Sequence, residues 1–134
     1  MDSAEENLIL SAFHILSEEL HINSVNKGFW NDEDILLEKV QDDKKLYNRI
    51  LRLFDAEKLI LMHTELSEAF ERTRKDINAP DEHCPEFTNF EIEMADLGIR
   101  WFEYCVRRGL RVGEAVLAKH KYNLSRPYMH GKNS

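Results

Sequence analysis

The sequence has few residues that interrupt helices and few thiols, with 5 glycines, 3 prolines and 2 cysteines among 134 residues. This scarcity favours long helices, and no alternation of apolar and polar residues predicts a strand. No apolar run approaches the roughly 18 residues that a membrane span needs. The two cysteines form no C-x-x-C pair and the N-terminus is acidic rather than signal-like, so we expect a reducing, cytoplasmic location.

The chain is also poor in positive charge, with 18 Lys and Arg against 25 Asp and Glu and a net charge of −7. This balance argues against partners that are nucleic acids or anionic membranes. A phosphate-bearing small ligand stays possible, because a bound metal ion can supply positive charge locally. No glycine-rich phosphate loop is present, so a P-loop or Rossmann nucleotide site has no support.

The apolar periodicity predicts one all-α domain of four to five helices over residues 1–134. We expect the first helix to run from about Ser3 to Ile22, with a capping box of Ser3 and Glu6 and a loop as far as Asp32. A second helical region should begin near Asp32 or Asp34. Further helices are expected within residues 43–77 and at about 86–108 and 112–124. Residues 125–134 should form an irregular tail, because Pro127 and Gly131 exclude helix there.

One acidic pattern occurs twice: two carboxylates three residues apart, with an arginine four residues after the second. Its members are Glu65, Glu68, Arg72 and Glu93, Asp96, Arg100. On a helix, the carboxylates of each pair point from the same face. If the two helices pack side by side, four carboxylates converge, and such a group takes up protons or binds a hard cation. All-oxygen ligation suits Mg2+ or Mn2+ rather than zinc.

The same pattern has a plainer interpretation as a solvated stripe. The pairs Glu68–Arg72 and Asp96–Arg100 have the i,i+4 spacing of surface ion pairs, and roughly 4 to 5 acidic pairs at i,i+3 would arise by chance in this composition. The helix at 86–108 is apolar over most of its girth, which predicts burial and self-association. Its polar stripe therefore either faces water or lines a site, and the residues alone leave both open.

A cluster of cations follows near the end of the chain. Lys119, Asn123 and Arg126 recur at i, i+4 and i+7 on one helical face, and Lys132 follows. These residue types could form a phosphate clamp, with lysine as a point charge and arginine as a bidentate fork. The alternative is a helix C-terminus whose positive charge complements the helix dipole.

Taken in order, these motifs resemble the MazG-like all-α nucleoside triphosphate pyrophosphohydrolases. The resemblance rests on the two acidic motifs, on the tail residues, and on the segment Asn26-Lys27-Gly28-Phe29-Trp30, which is similar to the family's aromatic segment. The tail residues are Lys119, Asn123, Arg126 with Pro127, and His130-Gly131-Lys132. Glu93 follows Glu68 at a spacing that the family allows. The resemblance covers about Asn26 to Lys132.

The resemblance implies a helical bundle completed by oligomerisation, as a homodimer or homotetramer with sites near subunit boundaries. It implies Mg2+-dependent hydrolysis of a canonical or modified nucleoside triphosphate to a monophosphate and pyrophosphate. Metal binding and catalysis would fall to Glu65, Glu68, Glu93 and Asp96. Phosphate binding would fall to Lys119, Asn123, Arg126 and Lys132, and base or sugar contacts to Trp30, Phe29, Asn26 and His14. Arg72 and Arg100 would orient the carboxylates.

Two other functions remain open. One is a related all-α hydrolase of a nucleoside diphosphate or phosphoribosyl nucleotide, and the other is a non-catalytic helical oligomerisation module. Trp30 could also pack in the protein core instead of stacking on a base. The motifs encode neither the preferred base and sugar, nor the number of metal ions, nor which carboxylate is the general base. Dimer versus tetramer and the biological role are equally open.

Overall fold

The computed structural model describes residues 1–131 and confirms the all-α class. Within that range the α-helices are α1 (Ser3–Asn26), α2 (Asn31–Lys39), α3 (Lys44–Lys75), α4 (Asn89–Arg107) and α5 (Val112–Leu124). A single 3-10 turn follows at Tyr128–Gly131. The prediction of a wholly irregular tail is therefore wrong for these four residues. Lys132 lies outside the described residues. None of the described helices combines the length and apolar character that a bilayer crossing requires.

Helix α1 begins at the predicted Ser3, but its capping box and its end differ from those predicted. Asp2 is the N-cap, because its side chain accepts from Glu5 N at 2.8 Å and its backbone N–H donates to the Glu5 carboxylate. The capping box thus lies one residue before the predicted Ser3–Glu6 pair. Nothing breaks the helix before Gly28, whose φ of 85° is readily adopted only by glycine. The predicted loop from Asn23 is therefore mostly helix.

The two later helices lie close to their predicted positions. Helix α4 starts at Asn89 rather than near residue 86, because Thr88 and Glu91 form a capping box. It ends before Gly109, which has a φ of 64° and occupies the position after the C-cap, as predicted. Helix α5 has the predicted bounds, Val112–Leu124.

Helix α4 lies at the centre of the fold and packs against both α3 and α1. Phe13 on α1 meets Phe102 on α4 edge-on, with ring centroids 5.2 Å apart. Helix α5 packs on α1 at Gly113, where an added Cβ would lie 3.2 Å from a Leu10 methyl carbon. Helix α2 packs against α3. The α3–α4 pair therefore forms the frame to which the other helices attach.

A buried ion-pair network fixes α2 to α3 and α4. Glu33 on α2 is 2 % exposed and pairs with both Arg107 and Arg108. Arg108 also donates to Asp55 on α3 at 2.6 Å. Burial alone would lower the pKa of Arg108, but the hydrogen bonds that it donates to Glu33 and Asp55 raise it above its usual value. Breaking one partner of such a network leaves a buried charge unpaired, so the network holds α2 in one position.

The apolar core of the single chain is small. In the described range, the buried apolar residues are Trp30, Leu37, Met62, Ala69 and Cys105. Many large apolar side chains on α1 and α3 stay exposed, among them Leu8, Ile15, Leu53, Ile60 and Phe70. The apolar surface left uncovered therefore lies mainly on α1 and α3, rather than on α4 as the sequence suggested.

Candidate metal centre and its clefts

The two acidic motifs meet where α3 and α4 pack together. Glu65, Glu93 and Asp96 each offer one carboxylate oxygen, and these three oxygens lie within 4.8 Å of one another. The i,i+3 spacing places Glu93 and Asp96 on one face of α4, and the packing of the two helices brings Glu65 opposite. Glu65 is buried, at 8 % exposure. The three side chains thus form a compact set of oxygen donors.

Glu68, one turn after Glu65, borders this set. Desolvation raises its pKa, and so do contacts with the carboxylates of Glu93 and Glu65. The pKa of Asp96 is likewise raised, first by desolvation and then by the charges of Glu65 and Glu93, while Arg100 acts in the opposite direction. Both shifts have the cause expected where carboxylates crowd one another. Such a group gains stability from a proton or a cation placed among its oxygens.

The two arginines of the motifs pair across the helices rather than within them. Arg72 Nε on α3 donates to Glu93 Oε1 on α4 at 3.3 Å, and Arg72 also reaches Asp76. Arg100 Nε on α4 donates to Glu65 Oε1 on α3 at 2.5 Å. The stripe is therefore not the pair of i,i+4 surface ion pairs of the plainer interpretation. Each arginine instead holds a carboxylate of the opposite motif, which is the geometry that an orienting residue needs.

Two clefts flank the carboxylates. The first, which we call the Arg72 cleft, has a volume of about 500 Å³ and includes Glu68, Arg72, Lys75 and Glu93. The second, the Ser24 cleft, has a volume of about 260 Å³ and lies between the end of α1, Phe29 and α4. It shares Glu65 and Asp96 with the metal centre and extends along α4 to Glu103. A ligand held at the carboxylates has room on both sides.

The aromatic residues predicted to contact a base differ in their surroundings. Trp30 is 2 % exposed, its Nε1–H donates to Glu103, and Lys58 lies 4.1 Å from the centre of its ring. These contacts match the alternative in which Trp30 packs in the core rather than against a base. The side chain therefore offers no free ring face for stacking within the chain. Phe29 is 70 % exposed and lines the Ser24 cleft. Of the two aromatic side chains, only Phe29 is placed to meet a ligand in this chain.

The other predicted base contacts lie farther from the carboxylates. Asn26 is exposed at the last residue of α1. His14 pairs with Glu18 at 3.3 Å and borders a different cavity of about 290 Å³ between α1, α4 and the start of α5. Neither residue lines the two clefts beside the metal centre.

The predicted phosphate clamp also lies away from the carboxylates of its own chain. Lys119 and Arg126 lie over the ring of Tyr122, at 4.6 Å and 5.7 Å, and the neighbouring Lys121 pairs with Glu6 at 2.7 Å. Glu6 and Ser24 are on the same helix, and at 1.5 Å per residue they lie roughly 27 Å apart along its axis. Lys119, Asn123 and Arg126 are therefore grouped, but one chain does not bring them to the metal centre.

Several residues beside the centre were missed by sequence reasoning. Ser24 lines the second cleft and is 7 % exposed, but it falls in the segment predicted as a loop. Glu103 follows Asp96 by two helical turns, so its place on the same stripe was visible in the sequence. Lys75 in the Arg72 cleft lies just beyond the first motif and carries no distinguishing pattern.

Comparisons with protein-family models, curated proteins and solved structures give no match for this chain.

Proposed function

We propose that this protein is a MazG-like, Mg2+-dependent nucleoside triphosphate pyrophosphohydrolase. The observation that carries the proposal is the meeting of two acidic motifs from different helices, with three carboxylate oxygens within 4.8 Å. The donor set fits the ion, because hard divalent cations take carboxylate oxygens and the site offers neither thiolate nor imidazole. Desolvation and neighbouring carboxylates raise the pKa of Glu68 and Asp96, and the same crowding of negative charge favours binding of a cation.

In this proposal Glu65, Glu93 and Asp96 hold the ion, with Mn2+ as a substitute for Mg2+. The ion supplies Lewis-acid chemistry that neutralises phosphate charge and activates water. Glu68 lies beside the three ligands, and we assign it the proton released when a water oxygen attacks the α-phosphorus. The bond from that phosphorus to its bridging oxygen then breaks. A nucleoside monophosphate and pyrophosphate are the products.

Cations near the centre would hold the phosphates and stabilise the charge that develops on them. Arg72 and Lys75 border the Arg72 cleft and are available in the same chain. Lys119, Asn123 and Arg126, with Lys132 beyond the described residues, keep their proposed phosphate role only if another copy of the chain supplies them. The proposal therefore includes a homodimer or homotetramer with its sites near subunit boundaries.

The exposed surface supports such an assembly. A folded monomer of 15.8 kDa is expected to expose roughly 7,300 Å², whereas this chain exposes 10122 Å². The excess of about 2,800 Å² is more than three times the roughly 800 Å² that each partner buries in an ordinary interface. The exposed apolar residues of α1 and α3 are suited to that interface, because uncovered apolar patches of this extent are rare on monomers. Sedimentation equilibrium at micromolar concentration should give at least twice the chain mass.

The activity is tested by incubating the protein and Mg2+ with a panel of canonical and modified ribo- and deoxyribonucleoside triphosphates. Pyrophosphate and the monophosphate should appear in equal amounts, and EDTA should stop the reaction. Glu93→Gln should lower kcat by orders of magnitude, while Glu57→Gln, which removes an exposed carboxylate elsewhere on α3, should not. Release of orthophosphate would point instead to another phosphoanhydride. If no triphosphate is hydrolysed and Mg2+ does not change the stability of the protein, the remaining alternative is a non-catalytic oligomerisation module.

A further inference from the structure

The Ser24 cleft contains two buried polar side chains with unused hydrogen-bonding capacity. Glu103 is 9 % exposed, and its Oε1 accepts from Trp30 Nε1–H, but no described residue donates to its Oε2. Ser24 is 7 % exposed, and its hydroxyl has no hydrogen-bond partner among the described residues. Ser17 on the same helix shows the usual alternative, because its hydroxyl donates to the Phe13 carbonyl at 2.6 Å.

Neither free atom is fully enclosed, because the buried side-chain atoms without a partner in the described range are His21 Nδ1, Glu71 Oε2 and Asp76 Oδ1. Ser24 Oγ and Glu103 Oε2 therefore keep contact with solvent and are accessible to a ligand. Both groups face the same cleft of about 260 Å³, so one ligand could satisfy both. The cleft also has an apolar side, where Phe29 is 70 % exposed and Ile99 is 40 % exposed. An exposed aromatic ring beside a few inward-facing polar groups is the usual composition of a site for a flat heteroaromatic ligand.

The charge of the cleft narrows the class of ligand. Arg100 borders it, and its Nε donates to Glu65, which ties this guanidinium to a carboxylate of the metal centre. His21 Nδ1 lies 3.8 Å from Glu103 Oε1 and has no hydrogen-bond partner among the described residues, so it faces the oxygen that Trp30 already occupies. The free Oε2 of Glu103 is an acceptor only. A carboxylate accepts a hydrogen bond from the exocyclic amine of cytosine, whereas the carbonyl oxygen that replaces this amine in uracil would meet it acceptor to acceptor.

We infer that the Ser24 cleft binds the base of the nucleotide and that Glu103 selects bases carrying an exocyclic amino group. This inference rests on the proposed function for the identity of the ligand as a nucleotide. The shared residues Glu65 and Asp96 place the base cleft directly beside the metal centre, and the Arg72 cleft is left for the leaving pyrophosphate. Ser24 Oγ offers a second, adaptable hydrogen bond, and Phe29 supplies the stacking surface.

Cytidine and uridine nucleotides are the decisive probes, because cytosine carries an amino group beside an acceptor N3, whereas uracil carries an oxo group beside N3–H. We expect kcat/KM for CTP to exceed that for UTP at least about tenfold, since a site built to bond one group discriminates against an analogue that lacks it. Glu103→Gln should reduce the CTP/UTP ratio to within about threefold, because an amide both accepts and donates. The glutamine oxygen still accepts from Trp30 Nε1–H. Glu57→Gln should retain the wild-type ratio.

Ser24→Ala is the second variant, because it leaves the Glu103–Trp30 bond in place and keeps the helix. It should raise KM for CTP at least about fivefold with kcat little changed, as expected for a lost ground-state contact. A wild-type CTP/UTP ratio below about threefold would overturn the inference, and so would an unchanged ratio in folded Glu103→Gln. Either result would leave the proposed hydrolysis standing if pyrophosphate is released.

Binding without chemistry separates this inference from the proposed function. CMP and UMP are titrated by calorimetry into the wild-type protein and into both variants, with Mg2+ present. Tighter binding of CMP than of UMP, abolished in Glu103→Gln, would support the base cleft even if no triphosphate were hydrolysed. Equal binding of the two nucleotides to the wild-type protein would overturn it.

Discussion

Replacing Glu93 with glutamine should stabilise the metal-free protein, although it removes a partly buried ion pair. Carboxylate oxygens of Glu65 and Asp96 lie within 4.8 Å of Glu93, and each such pair repels by about 3.5 kcal/mol at an effective dielectric of 20. The substitution also removes the attraction of Arg72 at 3.3 Å, which is about 5 kcal/mol by the same relation. Arg72 is 37 % exposed, and Glu93 and Asp96 are also partly open to water, so screening makes all three figures upper limits. The balance favours the variant by about 2 kcal/mol.

The assay is thermal unfolding of both proteins, first in EDTA and then over a series of Mg2+ concentrations. In EDTA the variant should melt several degrees higher than the wild type, as about 2 kcal/mol implies for a domain of this size. Added Mg2+ should stabilise the wild type with the logarithmic concentration dependence of a ligand that binds only the folded state. The variant should respond weakly to Mg2+. The wild type should therefore have the lower melting temperature in EDTA and the higher one at high Mg2+ concentration.

Glu57→Gln serves as the matched control, because this carboxylate is exposed on α3 and has no ion pair in the described range. Its effect should stay within about 0.5 kcal/mol and should not depend on Mg2+. A lower melting temperature for Glu93→Gln in EDTA, or an equal response of both proteins to Mg2+, would refute the picture of mutually repelling metal ligands.

Three further predictions concern pH, the core and the tail. Desolvation and neighbouring carboxylates raise the folded-state pKa of Glu68 and Asp96, so their contribution to stability is full below the unfolded pKa and is lost as pH rises through the folded pKa. Urea unfolding in EDTA should show this loss in the wild type more strongly than in Glu68→Gln, and equal pH profiles would contradict it. Trp30→Phe removes the N–H donor to Glu103 and should cost about 1–3 kcal/mol of unfolding free energy; a urea midpoint equal to that of the wild type would count against this role. Arg126→Lys keeps the charge but loses the planar fork, so kcat/KM for the triphosphate should fall at least about tenfold with little change in melting temperature. Wild-type kcat/KM would remove Arg126 from the phosphate site.

The fold was largely predictable because helix boundaries depend on local chemistry. Helix α5 ends where its apolar repeat ends, and Gly109 stops α4 for a reason visible in the sequence. The N-cap of α1 was wrong by one residue, because Asp2 and Ser3 are both competent caps and only the structure decides between them. Its end was wrong by a full turn, because Asn23 favours turns only weakly and the helix continues to Asn26.

The candidate site was predictable only in part, for a similar reason. The carboxylate pairs follow from i,i+3 geometry, which any helix imposes. The partners of Arg72 and Arg100 do not follow, because a long side chain chooses among acceptors on a neighbouring helix whose position the sequence leaves open. The burial of Ser24 depends on the packing of α1 against α4. No local pattern encodes such a contact.

The order of packing partners along the chain has a consequence for synthesis. Helix α1 emerges first, but its partner in the fold is α4, and Phe13 meets Phe102 only after roughly 90 further residues, which take roughly 5 to 20 seconds to translate. The α3–α4 hairpin joins neighbours in sequence, so it should form early, while α1 waits with its apolar face uncovered. Destabilising substitutions in α1 should accordingly speed unfolding more than they slow folding.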